Sequence, residues 1–196
     1  VWEKKGLMSP DEVILVGAHY DTISHDKKTL EARPNDEMPG ADDNGSGVAI
    51  ALGIIEFLAQ YDLPKTVRVV FFDFEEVGFL GSRAYVQEHA AQLKKLRFAG
   101  MLNLEMLGHD SKKSAKVKVS GDMRAYVRAP SDPGHGQDRA FAERLVGLGK
   151  KISTSVKFDL LANGFNTSAH INFWEAGLPA VTFSQNWEED FNEARY

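Results

Sequence analysis

His19 and Asp21 stand one residue apart at the end of an apolar run, in the sequence VILVGAHYDT (13–22). Side chains two positions apart in an extended chain point to the same side, so the imidazole and the carboxylate are expected to face one another. A histidine at a strand end more often has a structural role. A metal-bound histidine, however, usually donates its other ring N–H to a carboxylate or carbonyl oxygen. His19 is therefore a candidate metal ligand, and Asp21 is the candidate acceptor that orients it.

Asp42 and Asp43 precede an apolar stretch, within PGADDNGSG (39–47). One interpretation is a helix cap followed by flexible glycines. Two adjacent aspartates exceed what a single cap needs, and the glycines at 45 and 47 let the backbone approach another group closely. We therefore expect one aspartate to cap the helix and the other to face a cation.

Three glutamates lie at or within apolar sequence. Glu75 and Glu76 close the run TVRVVFFDFEE (66–76), and Glu105 is the lone acid in LNLEML (102–107). Poorly hydrated carboxylates lose solvation free energy and repel one another unless a cation or a proton compensates. One glutamate of the adjacent pair can therefore bind a metal while the other holds a proton. Because the chain has no cysteine, histidine and carboxylate side chains would have to hold the metal.

His170, in SAHINFW (168–174), is as suited to lining a pocket as to binding a metal. The remaining histidines fall in predicted loops or on a polar helix face, and we interpret them as solvated: His25, His89, His109 and His135.

The elements that position these residues alternate between strands and helices. Short apolar runs closed by polar residues predict buried strands at 13–22, 66–76, 99–108 and 179–185. Apolar or amphipathic stretches predict helices at 47–61, 80–96, 137–152 and 168–177, and polar stretches predict loops at 25–39 and 129–136. This order predicts an α/β three-layer sandwich, with a mostly parallel, mixed central sheet flanked by helices. In such folds ligands bind at the carboxyl ends of the strands, where the candidate residues cluster.

Composition narrows the class of protein further. With 196 residues and 43% hydrophobic side chains, the chain can form one core, so residues 1–196 are expected to be a single domain. The net charge of −5 and the scattered cationic residues argue against a nucleic acid partner. No apolar run approaches the roughly 20 residues needed to cross a bilayer, so we expect no membrane span.

Five motifs taken together resemble peptidase family M28, a family of metallopeptidases that includes bacterial leucyl aminopeptidases. They occur in the family's order and span nearly the whole chain: GAHYDT (17–22), PGADDNGSGVA (39–49), FFDFEEVGFLGS (71–82), LNLEMLG (102–108) and SAHINFWEAGLPAV (168–181). Each motif alone is weak, but five in order with α/β spacing are specific. The resemblance implies the zinc exopeptidase fold, two zinc ions and a peptide substrate.

Carried over by position, the resemblance implies a role for each candidate. His19 and Glu105 would bind one zinc ion, Glu76 the other, and Asp42 would bridge both, with a cis peptide bond between Asp42 and Asp43. Many family members have aspartate at the position of Glu105. The resemblance also implies the following roles outside the ligand set: Glu75 as general base, Asp21 as the residue that orients His19, and Asp43, His170 and Phe165 beside the metals or in the substrate pocket.

Two departures from the family pattern bear on these assignments. Ala169 stands where relatives commonly have aspartate. A further histidine, which in the family follows the strand resembled by residues 179–185, would complete the second zinc site, and the chain ends at Tyr196 without it. These features, together with the abrupt start, lead us to expect a domain truncated at both ends. One zinc site would then be incomplete, with strong zinc occupancy beside His19 and weak occupancy beside Glu76.

The function implied is hydrolysis of N-terminal residues from peptides by water activated between two zinc ions. Residues 158–168 and the loops at 107–111 and 185–190 would line the specificity pocket. Two alternatives stay open: a glutaminyl cyclase-like aminoacyl transferase with one zinc ion, and a non-catalytic binding domain of the same fold. The resemblance also implies a secreted or periplasmic protein.

Overall fold

The computed structural model of the protein contains one seven-stranded mixed sheet. It describes residues 1–24, 29, 31, 33, 36–111, 121–153 and 155–193. The strands are β1 (Trp2–Lys4), β2 (Ser9–His19), β3 (Lys65–Phe72), β4 (Arg97–Leu104), β5 (Gly121–Tyr126), β6 (Val156–Leu161) and β7 (Ala180–Ser184). Their spatial order is β1-β3-β2-β4-β7-β5-β6. The four helices are α1 (Gly47–Ala59), α2 (Leu80–Lys95), α3 (His135–Ile152) and α4 (Ile171–Glu175).

The helices cover both faces of the sheet and so form three layers. Alternate residues of β2 show this, because Leu15 packs in a core cluster with α2 and α4, whereas Val16 packs in a cluster with α1. The cluster beneath α3 shares Leu102 with the α1 cluster, so α1 and α3 lie on the same face. Strands buried on both faces read as continuous apolar sequence, which is why the central strands were recognisable.

The parallel centre of the sheet determines where functional side chains can gather. Strand β2 pairs in parallel with β3 and β4, and β4 pairs in parallel with β7. The carboxyl ends of these four strands therefore share one edge. Strand β5 runs antiparallel to β7, so the beginnings of β5 and its parallel neighbour β6 lie at that same edge.

The predicted fold class is confirmed: the chain forms a three-layer α/β sandwich with a mostly parallel, mixed sheet. The four predicted strands are present, although the strand predicted over 66–76 ends at Phe72 and leaves both glutamates in the following turn. The helix predicted over 168–177 is shorter, at Ile171–Glu175.

Three strands were not predicted. Strand β1 has three residues, and β5 and β6 contain charged residues in alternation with apolar ones, so neither shows a continuous apolar run. Most of the loop predicted at 25–39, including His25, lies outside the described residues. Across the described ranges, the structure contains no helix long and apolar enough to cross a membrane.

Candidate metal centre and active site

Three buried side chains from the ends of three neighbouring strands converge at the carboxyl edge of the sheet. His19 is the last residue of β2, Glu75 lies in the turn after β3, and Glu105 directly follows β4. Each offers a ligand atom within 4.8 Å of the others. The parallel pairing of β2 with both neighbours brings these residues together although they are far apart in sequence.

The two ring nitrogens of His19 face different partners. Nδ1 lies 3.1 Å from the backbone oxygen of Asp21 and 3.5 Å from its Oδ1. Nε2 lies 3.1 Å from Asp43 Oδ1 and 3.3 Å from Glu105 Oε1. With its proton on Nδ1, the ring donates to Asp21 and turns the Nε2 lone pair towards two carboxylates. Such a set of acceptors is stable only with a proton or a cation between them.

The pKa of His19 reflects this environment. Burial lowers the pKa of the imidazole, but the charge of Glu105 and the contacts with Asp21 and Asp43 outweigh burial, so the pKa is raised overall. Carboxylates that favour a proton on Nε2 also favour a divalent cation there. The residues present therefore fit a zinc ion, which binds neutral imidazole and carboxylate oxygens.

Asp21 links His19 to the glutamate turn. Its Oδ1 accepts the backbone N–H of Glu75 at 3.0 Å, and its Oδ2 accepts that of Glu76 at 3.1 Å. Burial raises the pKa of the Asp21 carboxyl, but the contact with His19 and these two N–H bonds outweigh burial, so the pKa is lowered. A charged Asp21 thus fixes both the imidazole and the turn that carries the two glutamates.

Glu105 is held from the opposite side by a hydroxyl. The Ser168 hydroxyl donates to Glu105 Oε2 at 2.5 Å, and the Asn103 side-chain amide donates to Ser168 Oγ at 2.7 Å. All three side chains are buried. Burial raises the pKa of Glu105, and the charge of His19 acts against that rise. The position of Glu105 Oε1 near His19 therefore depends on a buried chain of hydrogen bonds.

Glu75 is buried, and its Oε2 lies 4.0 Å from His19 Nε2. Burial, followed by the charge of Glu105, raises the pKa of the Glu75 carboxyl to about 9. A carboxyl that readily holds a proton beside a metal-binding histidine has the properties of a general acid and base.

Asp42, which was expected to bridge the metals, bonds other groups in the structure. Asp42 Oδ1 accepts the backbone N–H of Gly108 at 2.8 Å, and its Oδ2 accepts the amide of Asn192 at 2.8 Å. Asp43, not Asp42, reaches His19. The cis peptide bond also lies one residue later than expected, between Asp43 and Asn44. Sequence could not distinguish two adjacent aspartates, because the choice depends on how the turn is anchored.

Asn44 provides that anchor, and the sequence analysis did not identify it. Its Nδ2 donates to the Leu104 carbonyl at 2.9 Å, and its Oδ1 accepts the backbone N–H groups of Gly47 and Met106, each at 3.1 Å. These bonds hold the irregular turn Ala41–Ser46 against the end of β4 and aim Asp43 at His19. The available signal was a third polar residue in the run Asp-Asp-Asn, directly before an apolar helix.

Other predicted residues lie around this centre. Glu76 is half-buried and does not join the group formed by His19, Glu75 and Glu105. His170 is buried outside that group, where its Nε2 donates to the Phe165 carbonyl at 2.7 Å and its ring stacks on Phe165. Burial lowers the pKa of His170 to about 4, so this imidazole is neutral. His170 and Phe165 therefore pack together as a wall outside the group formed by His19, Glu75 and Glu105.

Aromatic rings continue that wall. Phe165 lies 5.0 Å from Tyr126 and 4.9 Å from Trp187, measured between ring centroids.

His135, interpreted as solvated, is half-buried instead, and its Nδ1 donates to the Arg128 carbonyl at 2.7 Å. His109 lies 3.4 Å from Asp190 Oδ1.

Comparison with known proteins agrees with the fold. Aminopeptidase YwaD of Bacillus subtilis is 29% identical over 180 residues, which cover 91% of this chain and 33% of YwaD. A solved zinc aminopeptidase of B. subtilis is 26% identical with a TM-score of 0.66, covering 97% of this chain and 41% of that one. An Acidobacteriales bacterium glutaminyl cyclase shares the fold alone, at 18% identity and a TM-score of 0.60, covering 92% of this chain and 55% of that one.

The fold and the histidine–carboxylate centre define an α/β protein with a candidate metal site at the edge of its sheet. The sequence profile of peptidase family M28 matches residues 2–196, and the chain belongs to that family. The chain spans about a third of the length of YwaD.

Proposed function

We propose that the protein is a zinc-dependent aminopeptidase that removes N-terminal residues from peptides. The observation that carries this proposal is the buried meeting of His19 Nε2 with Asp43 and Glu105, beside a Glu75 carboxyl whose pKa is raised. The similarity to YwaD and to the solved zinc aminopeptidase supports it.

His19, Asp43 and Glu105 would hold the first zinc ion, because their ligand atoms already face one another. Asp43 would also serve a second zinc ion together with Glu76, which lies next to Glu75 and half-buried at the same edge. Bound zinc polarises a peptide carbonyl and lowers the pKa of water towards about 7. Asp21 would keep the His19 proton on Nδ1, which leaves Nε2 free for the metal.

Glu75 would act as the general base and then as the general acid. Its carboxylate takes a proton from the attacking water, and the resulting carboxylic acid gives that proton to the amine released when the C–N bond breaks. The carboxyl needs a pKa between these two tasks, and burial beside the apolar end of β3 favours such a value.

The decisive experiment compares the wild-type protein at its natural length with Glu75→Gln, measuring hydrolysis of a leucyl chromogenic amide together with bound zinc. We expect Glu75→Gln to lower kcat by about 100-fold to 10,000-fold while zinc remains bound. Glu88→Gln, an exposed glutamate on α2, is the matched control and should behave as wild type. Zinc binding with no hydrolysis of any amide would refute the aminopeptidase proposal.

A glutaminyl cyclase-like activity is separated from hydrolysis by its product. A glutaminyl peptide would yield free glutamine from an aminopeptidase, and a ring-closed N-terminus with release of ammonia from a cyclase. A binding domain of the same fold would yield neither product, whatever its zinc content.

A further inference from the structure

A small pocket lies at the same edge of the sheet as the carboxylate centre. It has a volume of about 230 Å³ and is formed by the loop after β4, the beginnings of β5 and β6, and the end of β7. Gly108 and Gln185 line the pocket, and the Gln185 N–H donates to the carbonyl of Met106, the residue after Glu105. Pockets for whole ligands measure about 300 to 1,000 Å³, so this one fits a single side chain of a substrate.

Gln185 presents an acceptor that the protein does not use. The side chain is 2% exposed, and its Oε1 is buried with no hydrogen-bond partner among the described residues. Its amide nitrogen lies 3.9 Å from Met106 Sδ, a weak acceptor. Since buried polar atoms in native proteins are nearly always bonded, an unbonded oxygen in a pocket wall indicates a missing donor.

Asp122 presents a second unused acceptor in the same wall. Its Oδ2 accepts from Arg124 Nη2 at 2.9 Å and from Asn186 Nδ2 at 3.2 Å, which fixes the carboxylate. Its Oδ1 is buried and has no hydrogen-bond partner in the described part of the chain. The Asp122 side chain is 12% exposed and lines the pocket.

The charges around the pocket favour a cationic donor. The lining carries two carboxylates, Asp122 and the exposed Asp110, and its His109 faces Asp190. Arg124 bonds to Asp122 and Asp159 and leaves its Nε unbonded, but it does not line the pocket. A lysine ammonium or an arginine guanidinium supplies donors and positive charge without any acceptor.

We infer that this pocket receives the side chain of the substrate's N-terminal residue and selects lysine or arginine through Asp122 Oδ1 and Gln185 Oε1. The inference rests on the proposed aminopeptidase function. It assigns a preference for basic N-terminal residues to a site otherwise walled by Met123 and Leu107. Sites built to bond a polar substrate group discriminate strongly against an analogue that lacks it.

The test compares lysyl and norleucyl chromogenic amides, whose side chains differ essentially by the terminal ammonium, on the zinc-loaded protein at its natural length. We expect kcat/KM for the lysyl amide to exceed that for the norleucyl amide by about tenfold or more. Asp122→Asn and Gln185→Met should each lower this ratio by about tenfold. Asp159→Asn is the matched control, because Asp159 also bonds Arg124 but does not line the pocket.

The outcomes separate this inference from the proposed function. Equal hydrolysis of both amides, or ratios that Asp122→Asn and Gln185→Met leave unchanged, would mean that the pocket holds only water, and the inference would fail while the aminopeptidase stands. If neither amide is hydrolysed, the aminopeptidase proposal fails. Calorimetry that compares the binding of free L-lysine with that of L-norleucine then still tests whether the pocket selects a basic side chain. If Asp122→Asn does not fold, the inference is tested by Gln185→Met and by the ratio of lysyl to norleucyl kcat/KM in the wild type.

Discussion

The hydroxyl of Ser168 donates a 2.5 Å hydrogen bond to Glu105 Oε2, the carboxylate oxygen that faces away from His19. Ser168 lies just before α4 and Glu105 just after β4, so one bond joins the helical layer to the edge of the sheet that carries the centre. The bond keeps Oε1 directed at the imidazole.

Replacing Ser168 with alanine should therefore weaken zinc binding without removing a ligand. Loss of a group that orients a ligand typically costs 10-fold to 100-fold in metal affinity, and we expect a change in that range, measured by competition with a chelating dye. Ser82→Ala is the matched control, because the Ser82 hydroxyl, on α2, is buried, donates to the Phe79 carbonyl and accepts from the Asn172 amide. Wild-type zinc affinity in Ser168→Ala would show that Glu105 needs no such support.

The two adjacent aspartates should respond differently to the same substitution. Asp43→Asn removes a carboxylate beside His19 and should lower zinc affinity by more than about 100-fold, beyond the effect of losing an orienting group. Asp42→Asn keeps an oxygen that can accept from Gly108 and should lower zinc affinity by less than about tenfold. Calorimetric titration of both variants measures this difference, and a larger loss in Asp42→Asn would restore Asp42 as the ligand.

His170 should make the metal-free protein sensitive to acid. Its pKa is lowered from 6.5 to about 4 in the folded state, mainly by burial. The unfolded chain therefore binds the proton more readily, so the contribution of His170 to stability is complete above pH 6.5 and is lost as the pH falls towards 4. The shift corresponds to a loss of about 3 kcal/mol in the free energy of unfolding.

Urea denaturation of the metal-free protein at pH 7, 5 and 4 measures this contribution. His170→Gln keeps a donor for the Phe165 carbonyl but does not titrate, so its stability should fall less over this range than that of the wild type. His89→Gln, on α2, should follow the wild type. If the free energies of unfolding of the wild type and of His170→Gln fall equally between pH 7 and pH 4, the prediction is contradicted.

A buried ion pair anchors α3 to the loop before it. Arg128 Nε donates to Asp138 Oδ2 at 2.5 Å, and the Arg128 and Asp138 side chains are 8% and 0% exposed. Asp138→Asn would leave the guanidinium buried without its counter-charge and should lower the free energy of unfolding by about 3 to 5 kcal/mol. Glu143→Gln, which breaks the exposed pair with Arg139 on the same helix, should have no measurable effect. Chemical denaturation measures the free energy of unfolding of both variants, and equal values for Asp138→Asn and Glu143→Gln would contradict the prediction.

The sequence predicted strands best where both faces of a strand are buried and its residues are continuously apolar. Strands β2, β3, β4 and β7 were recognisable because both of their faces are covered, and polar residues at their ends stood out against apolar runs. His19, Asp21, Glu75 and Glu105 were found in this way. Strands β5 and β6 were missed because Arg124 and Asp159 pair across them, and cross-strand partners are invisible in a single sequence.

The sequence could not distinguish Asp42 from Asp43 for a related reason. Both are acidic, buried and adjacent, and what separates them is the set of bonds from Asn44 to Leu104, Gly47 and Met106. Two of these three bonds join residues that are about 60 positions apart. Local pattern carries no information about such contacts, so the assignment required the folded chain.

The antiparallel pairing of β5 with β7 lies between the strands that carry the proposed chemistry and part of the proposed pocket. The residues proposed for chemistry follow β2, β3 and β4, whereas the pocket draws Asp122 from β5 and Gln185 from the end of β7. If the proposed pocket selects the N-terminal residue, substitutions on β5 or at the end of β7 would change which peptides are cleaved and leave His19, Glu75 and Glu105 in place.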